Sequence, residues 1–264
     1  MSLTANSQIA TAKRIVVKVG SSSISGANAD KIEALVAALA DAHARGSEVV
    51  LVSSGAIATG MPLLNLESKP EDLPTSQALA SVGQSRLIAR YQGNLEKFGI
   101  IAGQVLLTSG DLEGEDTREN AAKALERLLE LRVLPIVNEN DTVATQEIRF
   151  GDNDRLAALV AILVSADVLV LLSDVDALYD MPPTKLGATR IERVAFEDGL
   201  DSVEVGGTST GVGTGGALTK VGAAKLANAE GIAVLLTSAD LVASALAGDS
   251  VGTWFEADPT ASQR

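Results

Sequence analysis

The chain has 264 residues, of which 46% are hydrophobic and only 3% aromatic, and its formal net charge is −13. A surface with this excess of acidic groups repels nucleic acids and anionic membranes, so neither is expected as a partner. The absence of cysteine excludes disulfide bonds and thiol catalysis.

The amino terminus lacks the apolar core of a signal peptide, and no apolar run is long enough to span a bilayer. We therefore expect a cytoplasmic protein. No internal repeat or clear linker interrupts the chain, which predicts a single domain over residues 1–264, with about 1–13 as an N-terminal extension.

Short runs of β-branched residues alternate with longer segments of helical periodicity. Strands are predicted at about residues 14–19, 48–53, 100–107, 133–137, 168–172 and 232–236. Between them, "ADKIEALVAALADAHARG", "TRENAAKALERLLELR" and "GDNDRLAALVAILVSA" each place apolar side chains on one helical face. This alternation predicts an α/β fold with a largely parallel sheet, whose ligands gather at the carboxyl ends of the strands.

The first strand, in "IVVKVGSSSI", contains Lys18 among β-branched residues. An ammonium group is costly to bury between two covered faces. Lys18 either reaches water from the strand's end or binds an anion, and taken alone the residue leaves these alternatives about even. The glycine and three serines that follow favour an anion site.

Three further strands are followed directly by small or polar residues. Ser54, in "VVLVSSGAIATG", precedes a helix whose amino end suits a carboxylate or phosphate, although a serine-capped turn is the favoured explanation for this segment alone. The run "NEND" after the fourth strand holds more polar groups than a cap needs, and Asp141 could hold an ammonium group. Ser173 and Asp174 end another apolar strand.

Two helix starts carry charged residues. In "FGDNDRLAALVAIL", Asp152 or Asn153 can cap the helix. Asp154 is not needed as a cap and could face the ligand site at the carboxyl ends of the strands. In "GVGTGGALTKVGAAKL", the glycines allow a ligand to approach the backbone closely. Lys220 then lies in or just beyond the first helical turn, where an anionic ligand would offset its repulsion by the helix dipole.

Three other features are not interpreted as evidence for further chemistry. Gly211, Gly213 and Gly216 fit a dinucleotide-binding pattern, but no strand precedes them and no acid ends the next strand. The only histidine, His43, is in phase with the apolar face of its helix. The acidic run "DLEGED", residues 111–116, is predicted to be a solvated loop.

Taken together and in order, "VVKVGSSS", "SSGAIA", "VGQSRL", "NENDTVA", "GDNDRLAA" and "GTGGALTK" resemble the amino acid kinase family, in particular its members that act on glutamate. The resemblance runs from about Arg14 to Phe255. It implies a three-layer αβα sandwich around a mainly parallel sheet of about eight strands. It also implies Mg²⁺-dependent transfer of a phosphoryl group from ATP to the γ-carboxylate of L-glutamate, giving L-glutamyl 5-phosphate in the first step of proline biosynthesis.

The resemblance also implies a role for each matching residue. Lys18 and Lys220 would contact the transferring phosphoryl group, and Asp154 would hold the two lysines in position. Three residues would bind glutamate: Ser54, Asp141 and Asn153. The nucleotide would be bound by Lys18, Ser173, Asp174, Thr214, Gly215, Gly216, Ala217, Leu218, Thr219 and Lys220. Because a γ-carboxylate is already ionised at neutral pH, this chemistry needs no general base.

The sequence departs from the family pattern in places. A C-terminal PUA domain, which many members carry, is expected to be absent, and "DMPPTKLGATR" differs from the usual nucleotide-side loop. Feedback inhibition by proline is usual in the family, and we expect a homo-oligomer.

Two alternatives stay open, a catalytically silent amino-acid-binding module on the same fold and a kinase for another acid. The presence of both lysines and of Asp154 favours an enzyme over the silent module. Asp141 favours a substrate with a free amino group over an acylated one.

Overall fold

A computed structural model describes residues 2–68, 70–143, 153–200 and 216–261. Within these ranges the strands are β1 Arg14–Val19, β2 Glu48–Ser53, β3 Ala102–Leu107, β4 Leu134–Glu139, β5 Val168–Ser173, β6 Leu178–Tyr179, β7 Arg190–Ile191, β8 Arg193–Val194, β9 Ala233–Ser238 and β10 Thr253–Phe255. The α-helices are α1 Lys31–Ala44, α2 Ala56–Leu63, α3 Leu73–Leu95, α4 Ser109–Glu113, α5 Glu115–Glu130, α6 Asn153–Leu163, α7 Ala217–Ala229 and α8 Val242–Ala247.

Eight of the described strands form one sheet in the order β3-β4-β2-β1-β5-β9-β10-β8. Every pairing from β3 to β9 is parallel, and β10 pairs antiparallel with β9 and parallel with β8. Strands β6 and β7 form a separate antiparallel pair. The carboxyl ends of β1, β2, β4, β5 and β9 therefore meet at one edge of the sheet, where ligands bind in folds of this kind.

Both faces of the sheet are covered, which explains the continuous apolar runs of the central strands. Alternate residues of β1 point to opposite faces: Val17 belongs to a core with α1, α3 and α8, whereas Val16 belongs to a core with α5, α6 and α7. The predicted three-layer αβα sandwich is confirmed.

Helix α3, the longest described helix, packs closely against α2. It begins after Asp72, whose carboxylate accepts a hydrogen bond from Thr75 N at 2.8 Å, and Pro74 lies in its first turn. A methyl group added at Gly60 or Gly83 would collide with backbone of the opposite helix, with the Leu79 carbonyl in the first case and the Ala56 carbonyl in the second. The two glycines therefore allow direct contact between the two helix backbones.

At the opposite, amino edge of the sheet, Arg14 connects three elements. Its guanidinium lies 2.7 Å from the Glu48 carboxylate and 2.9 Å from that of Glu126, and it also donates to the Val164 carbonyl. The side chain is largely buried, so these acceptors balance its charge. This contact set joins β1 and β2 to the helical layer formed by α5 and α6.

All six predicted strands are present, with bounds that differ by at most two residues. The four remaining strands, which contain only two or three residues each, and the helix α3 were not predicted. Gly46 follows the end of α1 with a φ of 101°, as expected for a glycine that terminates a helix.

The prediction of a solvated loop for "DLEGED" is wrong, because residues 111–116 form the end of α4 and the start of α5. Asp111 takes part in a capping box with Thr108, and Leu112 is buried. The remaining acids of the run are exposed: Glu113 ends α4, whereas Glu115 and Asp116 lie in the first turn of α5, where negative charge is favourable.

No helix within the described ranges is both long and apolar enough to cross a membrane.

Candidate active site

The centre of the candidate site is a charged trio formed by Lys18, Asp154 and Lys220. Lys18 Nζ lies 2.6 Å from Asp154 Oδ1, and Lys220 Nζ lies 3.1 Å from Asp154 Oδ2. The three residues are only 5%, 1% and 6% exposed. One carboxylate therefore bridges two ammonium groups, and the trio carries a formal charge of +1.

The position of the trio follows from the alternation of side chains along β1. Lys18 is two residues beyond Val16 and so points to the face covered by α6 and α7. Asp154 lies in the first turn of α6 and Lys220 in the first turn of α7, and these helices pack against each other. Lys18 therefore does not reach across the strand's end to open water.

The electrostatic state of Asp154 is set by two opposed effects. Burial acts to raise its pKa, but the charges and hydrogen bonds of Lys18 and Lys220 outweigh burial, so that the pKa lies below its ordinary value. The carboxylate stays ionised at neutral pH and holds the two ammonium groups at one point. An excess positive charge in a nearly dry position is suited to an anionic group of high charge density.

Thr219 also contacts Asp154, which the sequence did not predict. Its hydroxyl lies 3.0 Å from Asp154 Oδ2 and 2.9 Å from the carbonyl oxygen of Gly216. Because a hydroxyl has one hydrogen, it can donate to only one of these acceptors at a time. The contact joins the trio to the amino end of α7, where the predicted nucleotide-binding stretch ends.

The predicted glutamate-binding Ser54 lies immediately after β2, at the same edge of the sheet. Its backbone N–H donates to the Val19 carbonyl at 3.1 Å, which fixes it to the end of β1. Gly55 follows with a φ of 104°, a conformation that favours glycine, and the chain then enters α2. The position of the turn is thus fixed by β1 on one side and by α2 on the other.

Asp141 lies just beyond the end of β4 and is partly buried. Nearby, Asn138 is fully buried and donates through Nδ2 to Gln84 Oε1 on α3 at 2.8 Å. Parallel pairing of β2 with β4 brings Asp141 to the same edge as Ser54.

Asn153, at the start of α6, precedes Asp154. Its Oδ1 atom is buried and has no hydrogen-bond partner among the described residues. A buried acceptor of this kind is costly unless a ligand or water satisfies it. The structure thus leaves an amide oxygen available beside the charged trio.

On the nucleotide side, the serine loop after β1 contacts the residues after β5. Ser22 Oγ and Ser23 Oγ lie 2.9 and 3.3 Å from Asp174 Oδ1. The loop, Ser173 and Asp174 line an open cleft of about 530 Å³ together with residues 238–240, which follow β9. Of the predicted nucleotide-binding residues, Thr214 and Gly215 lie outside the described residues, whereas Gly216 to Lys220 are described.

His43 is distant from this site in the fold. It lies at the end of α1, at the amino edge of the sheet, where its Nε2 is 3.2 Å from the Arg132 carbonyl. Burial and the charge of Arg132 lower its pKa. This location is consistent with the structural role predicted for it.

Two buried polar residues on α3, Gln84 and Tyr91, were missed by the sequence analysis. Gln84 contacts Asn138, and the Tyr91 hydroxyl lies 2.9 Å from Ser53 Oγ. Their spacing of seven residues, in phase with Leu87 and Leu95, could have indicated polar groups directed into the core.

Comparisons with known proteins give a consistent result. The family model described as the amino acid kinase family matches residues 13–238. A glutamate 5-kinase of Clavibacter sepedonicus is 70% identical over 247 residues, which cover 94% of this chain and 95% of that protein. A glutamate 5-kinase of Leifsonia xyli subsp. xyli is 64% identical over 97% of this chain and 95% of its own length. A glutamate 5-kinase of Streptomyces coelicolor is 54% identical over 96% of this chain and 69% of its own length.

Proposed function

The chain belongs to the amino acid kinase family, and we propose that it transfers the γ-phosphoryl group of ATP to the γ-carboxylate of L-glutamate, giving L-glutamyl 5-phosphate for proline biosynthesis. The observation that carries this proposal is the buried trio of Lys18, Asp154 and Lys220, with its single excess positive charge. The high identity to glutamate 5-kinases over nearly the whole chain supports the choice of glutamate.

The reaction makes limited chemical demands, and the described residues are suited to them. A carboxylate is already a nucleophile at neutral pH, so the protein has to position it and to stabilise the charge on the phosphoryl oxygens during transfer. Lys18 and Lys220 would provide that stabilisation from a preorganised position. Asp154 would keep the two ammonium groups together, and Thr219 would hold Asp154.

The acceptor would be held by residues on the other side of the trio. We propose that Asp141 binds the α-ammonium group of glutamate and that Ser54 and Asn153 bind its carboxylates, with the Asn153 amide able to turn its donor group toward an anion. In this arrangement glutamate lies between the ends of β2 and β4 and the start of α6. The γ-carboxylate would then face Lys18 and Lys220.

The nucleotide would lie toward the ends of β5 and β9. Ser173, Asp174 and the stretch from Thr214 to Lys220 would bind it, with backbone amides at the start of α7 directed at its phosphates. The serine loop after β1 supports this assignment because it already contacts Asp174.

The candidate site offers few protein ligands for Mg²⁺, which is sufficient when the substrate phosphates supply the others. The described residues contain no group of three or more side chains that could hold a metal by themselves. Mg²⁺ commonly binds through one or two carboxylates together with substrate phosphates, and Asp174 would serve as the protein carboxylate. When bound, the ion would neutralise phosphate charge that the net charge of −13 otherwise repels. Sensitivity to proline remains a prediction from the family resemblance. A homo-oligomeric state and a cytoplasmic location also remain predictions, the latter from the apolar pattern of the sequence.

The test is an assay of acyl phosphate formation with hydroxylamine, which traps the product as a hydroxamate. L-glutamate, N-acetylglutamate and L-aspartate are compared at equal concentration with MgATP. We expect turnover with glutamate and at most about one-hundredth of that kcat/KM with the other two. N-acetylglutamate lacks the charged amino group that Asp141 would pair. L-aspartate has that group, but its side chain is one methylene shorter, so its carboxylate would be misplaced relative to the phosphoryl group.

Faster turnover with N-acetylglutamate or aspartate would identify a kinase for another acid. Absence of hydroxamate with all three acids, in a folded protein that binds glutamate, would identify a silent binding module. An excess of EDTA should abolish the reaction, and full turnover in its presence would exclude the proposed role of Mg²⁺.

A further inference from the structure

Tyr91 lies near the carboxyl end of α3 and is fully buried, yet it ends in a polar hydroxyl group. That hydroxyl lies 2.9 Å from Ser53 Oγ, and Ser53 is also fully buried. Ser53 Oγ in turn donates to the carbonyl oxygen of Ser54 at 3.0 Å. The three groups form a short chain from the helical layer to the turn that follows β2.

The direction of this chain follows from the number of hydrogens. The Ser54 carbonyl can only accept, so the one hydroxyl hydrogen of Ser53 points to it. The Tyr91 hydroxyl must therefore donate to Ser53 Oγ. Burial raises the pKa of Tyr91, so the phenol stays protonated and able to donate at neutral pH.

As a result, both backbone polar groups of Ser54 are held. Its N–H is bonded to the Val19 carbonyl on β1, and its C=O is bonded through Ser53 to Tyr91 on α3. With the peptide groups held on both sides, the direction of the Ser54 Cα–Cβ bond is fixed as well. Gly55, which follows, adds no constraint of this kind, because glycine readily adopts many conformations.

Helix α3 has a firm position from which to hold this turn. Two helical turns before Tyr91, Gln84 accepts a hydrogen bond from Asn138 at the end of the neighbouring strand β4. The close packing at Gly83 joins α3 to α2, which begins two residues after Ser54. Tyr91 thus acts from a helix that is already anchored to the next strand and to the next helix.

We propose that Tyr91 is a positioning residue for the acceptor substrate: acting through Ser53, its hydroxyl group sets the orientation of Ser54. Phenylalanine would fill the same space with the same apolar contacts, so packing alone does not require a hydroxyl here. The expected effect on the KM for glutamate rests on the proposed function, in which Ser54 binds glutamate. The expected effect on the orientation of Ser54 does not depend on that function.

The test combines Tyr91→Phe, Ser53→Ala and the double variant with two measurements. In hydrogen–deuterium exchange, the peptide that contains Ser54 should exchange about three- to tenfold faster in Tyr91→Phe, because a buried hydrogen bond is lost. In steady-state kinetics, the KM for glutamate should rise by about the same factor while the KM for MgATP changes by less than about twofold. The double variant should show no larger KM than Ser53→Ala alone, since both changes break one chain.

Leu95→Val is the matched control, because Leu95 is fully buried one turn further along α3 and carries no polar group. It should leave exchange at Ser54 and the KM for glutamate unchanged. The proposal is overturned if Tyr91→Phe leaves exchange at Ser54 as in the wild type, or if Leu95→Val reproduces the effects of Tyr91→Phe. It is also overturned if the effects of Tyr91→Phe and Ser53→Ala on the KM for glutamate are additive in the double variant.

Ser53→Ala breaks the chain from the other end should Tyr91→Phe fail to fold, and the same exchange result is then expected. If wild-type protein does not turn over glutamate, the proposed function fails, and the exchange measurement still decides the role of Tyr91.

Discussion

Lys18 Nζ and Asp154 Oδ1 are 2.6 Å apart, and both side chains are almost completely buried. A lysine that only escaped burial by reaching solvent would not direct its ammonium group to an acid on α6, the helix that covers this face of the sheet. The pairing therefore resolves the question raised by a lysine in an apolar strand: its charge is retained inside the protein and directed to one point.

Replacing Lys18 by Met should lower kcat by about 100-fold or more, because removal of one preorganised charge donor costs that much in comparable sites. The KM for MgATP should change far less, since the charge is matched to the transition state rather than to bound ATP. Initial rates with ATP varied at saturating glutamate measure both constants.

Lys97→Met is a suitable control, because Lys97 forms an exposed ion pair with Glu33. It should retain wild-type kinetics. A higher KM for ATP at unchanged kcat in the Lys18 variant would contradict the role assigned to Lys18.

Asp141 and Asp154 should differ in the kinetic constant that each controls. Asp141→Asn should mainly raise the KM for glutamate, since the α-ammonium group carries the same charge before and during the reaction. Asp154→Asn should mainly lower kcat, because it releases two lysines that act on the phosphoryl group. The measurement varies glutamate at saturating MgATP, after circular dichroism has established that both variants fold. The same pattern in both variants, or the reverse one, would refute this division.

Asp154 should stabilise the protein at neutral pH and lose this effect in acid. Its pKa in the folded protein is below its ordinary value of 3.8, so the unfolded chain takes up the proton first as the pH falls. The stabilisation is therefore complete above about pH 5, and it disappears as the pH falls through the folded-state pKa.

Asp154→Asn should accordingly cost about 3 to 5 kcal/mol in free energy of unfolding at neutral pH, because two buried ammonium groups lose their partner. Urea unfolding at several pH values measures this cost. It should stay constant from about pH 5 to 8 and shrink at lower pH, where the wild-type carboxyl group becomes protonated. A cost that grows on acidification would show that the pKa of Asp154 is raised.

Two glycines of α3 should respond in opposite ways to replacement by alanine. Gly83→Ala places a methyl group against the Ala56 carbonyl and should destabilise the protein by about 2 kcal/mol or more. Gly93→Ala meets nothing within 4 Å and should stabilise it by about 0.5 to 1 kcal/mol through helix propensity. Thermal and urea unfolding of the two variants provide the comparison, and equal effects would show that α2 and α3 are not in direct backbone contact.

Long, strongly patterned elements could be predicted from the sequence. Strands such as β1 and β5 consist mainly of apolar residues because both faces are covered, and their bounds follow directly. Strands β8 and β10 are too short for periodicity to show, and their pairing depends on distant partners. Helix α3 has a weaker apolar stripe that contains Gly83 and Gln84, so its pattern becomes clear only once α2 is seen to cover it.

The candidate site was predictable in its membership but not in its contacts. Polar residues after parallel strands, such as Ser54 and Asp141, meet at one edge because the topology requires it. The bridging role of Asp154 was implied by family resemblance, and its geometry depends on how α6 packs against α7. The contact of Tyr91 with Ser53 had no signal beyond a tyrosine in an apolar helix face, because the partner lies in a different layer.

The sheet separates the two sets of supporting contacts. Lys18 is oriented by residues of the α6–α7 layer, whereas Ser53 is oriented by α3 on the opposite face. Substitutions in one helical layer can therefore accumulate without repacking the other. Substitutions near α3 could change which acid the enzyme accepts while Lys18, Asp154 and Lys220 stay unchanged. The acceptor side and the phosphoryl-transfer side of the site can therefore evolve at different rates.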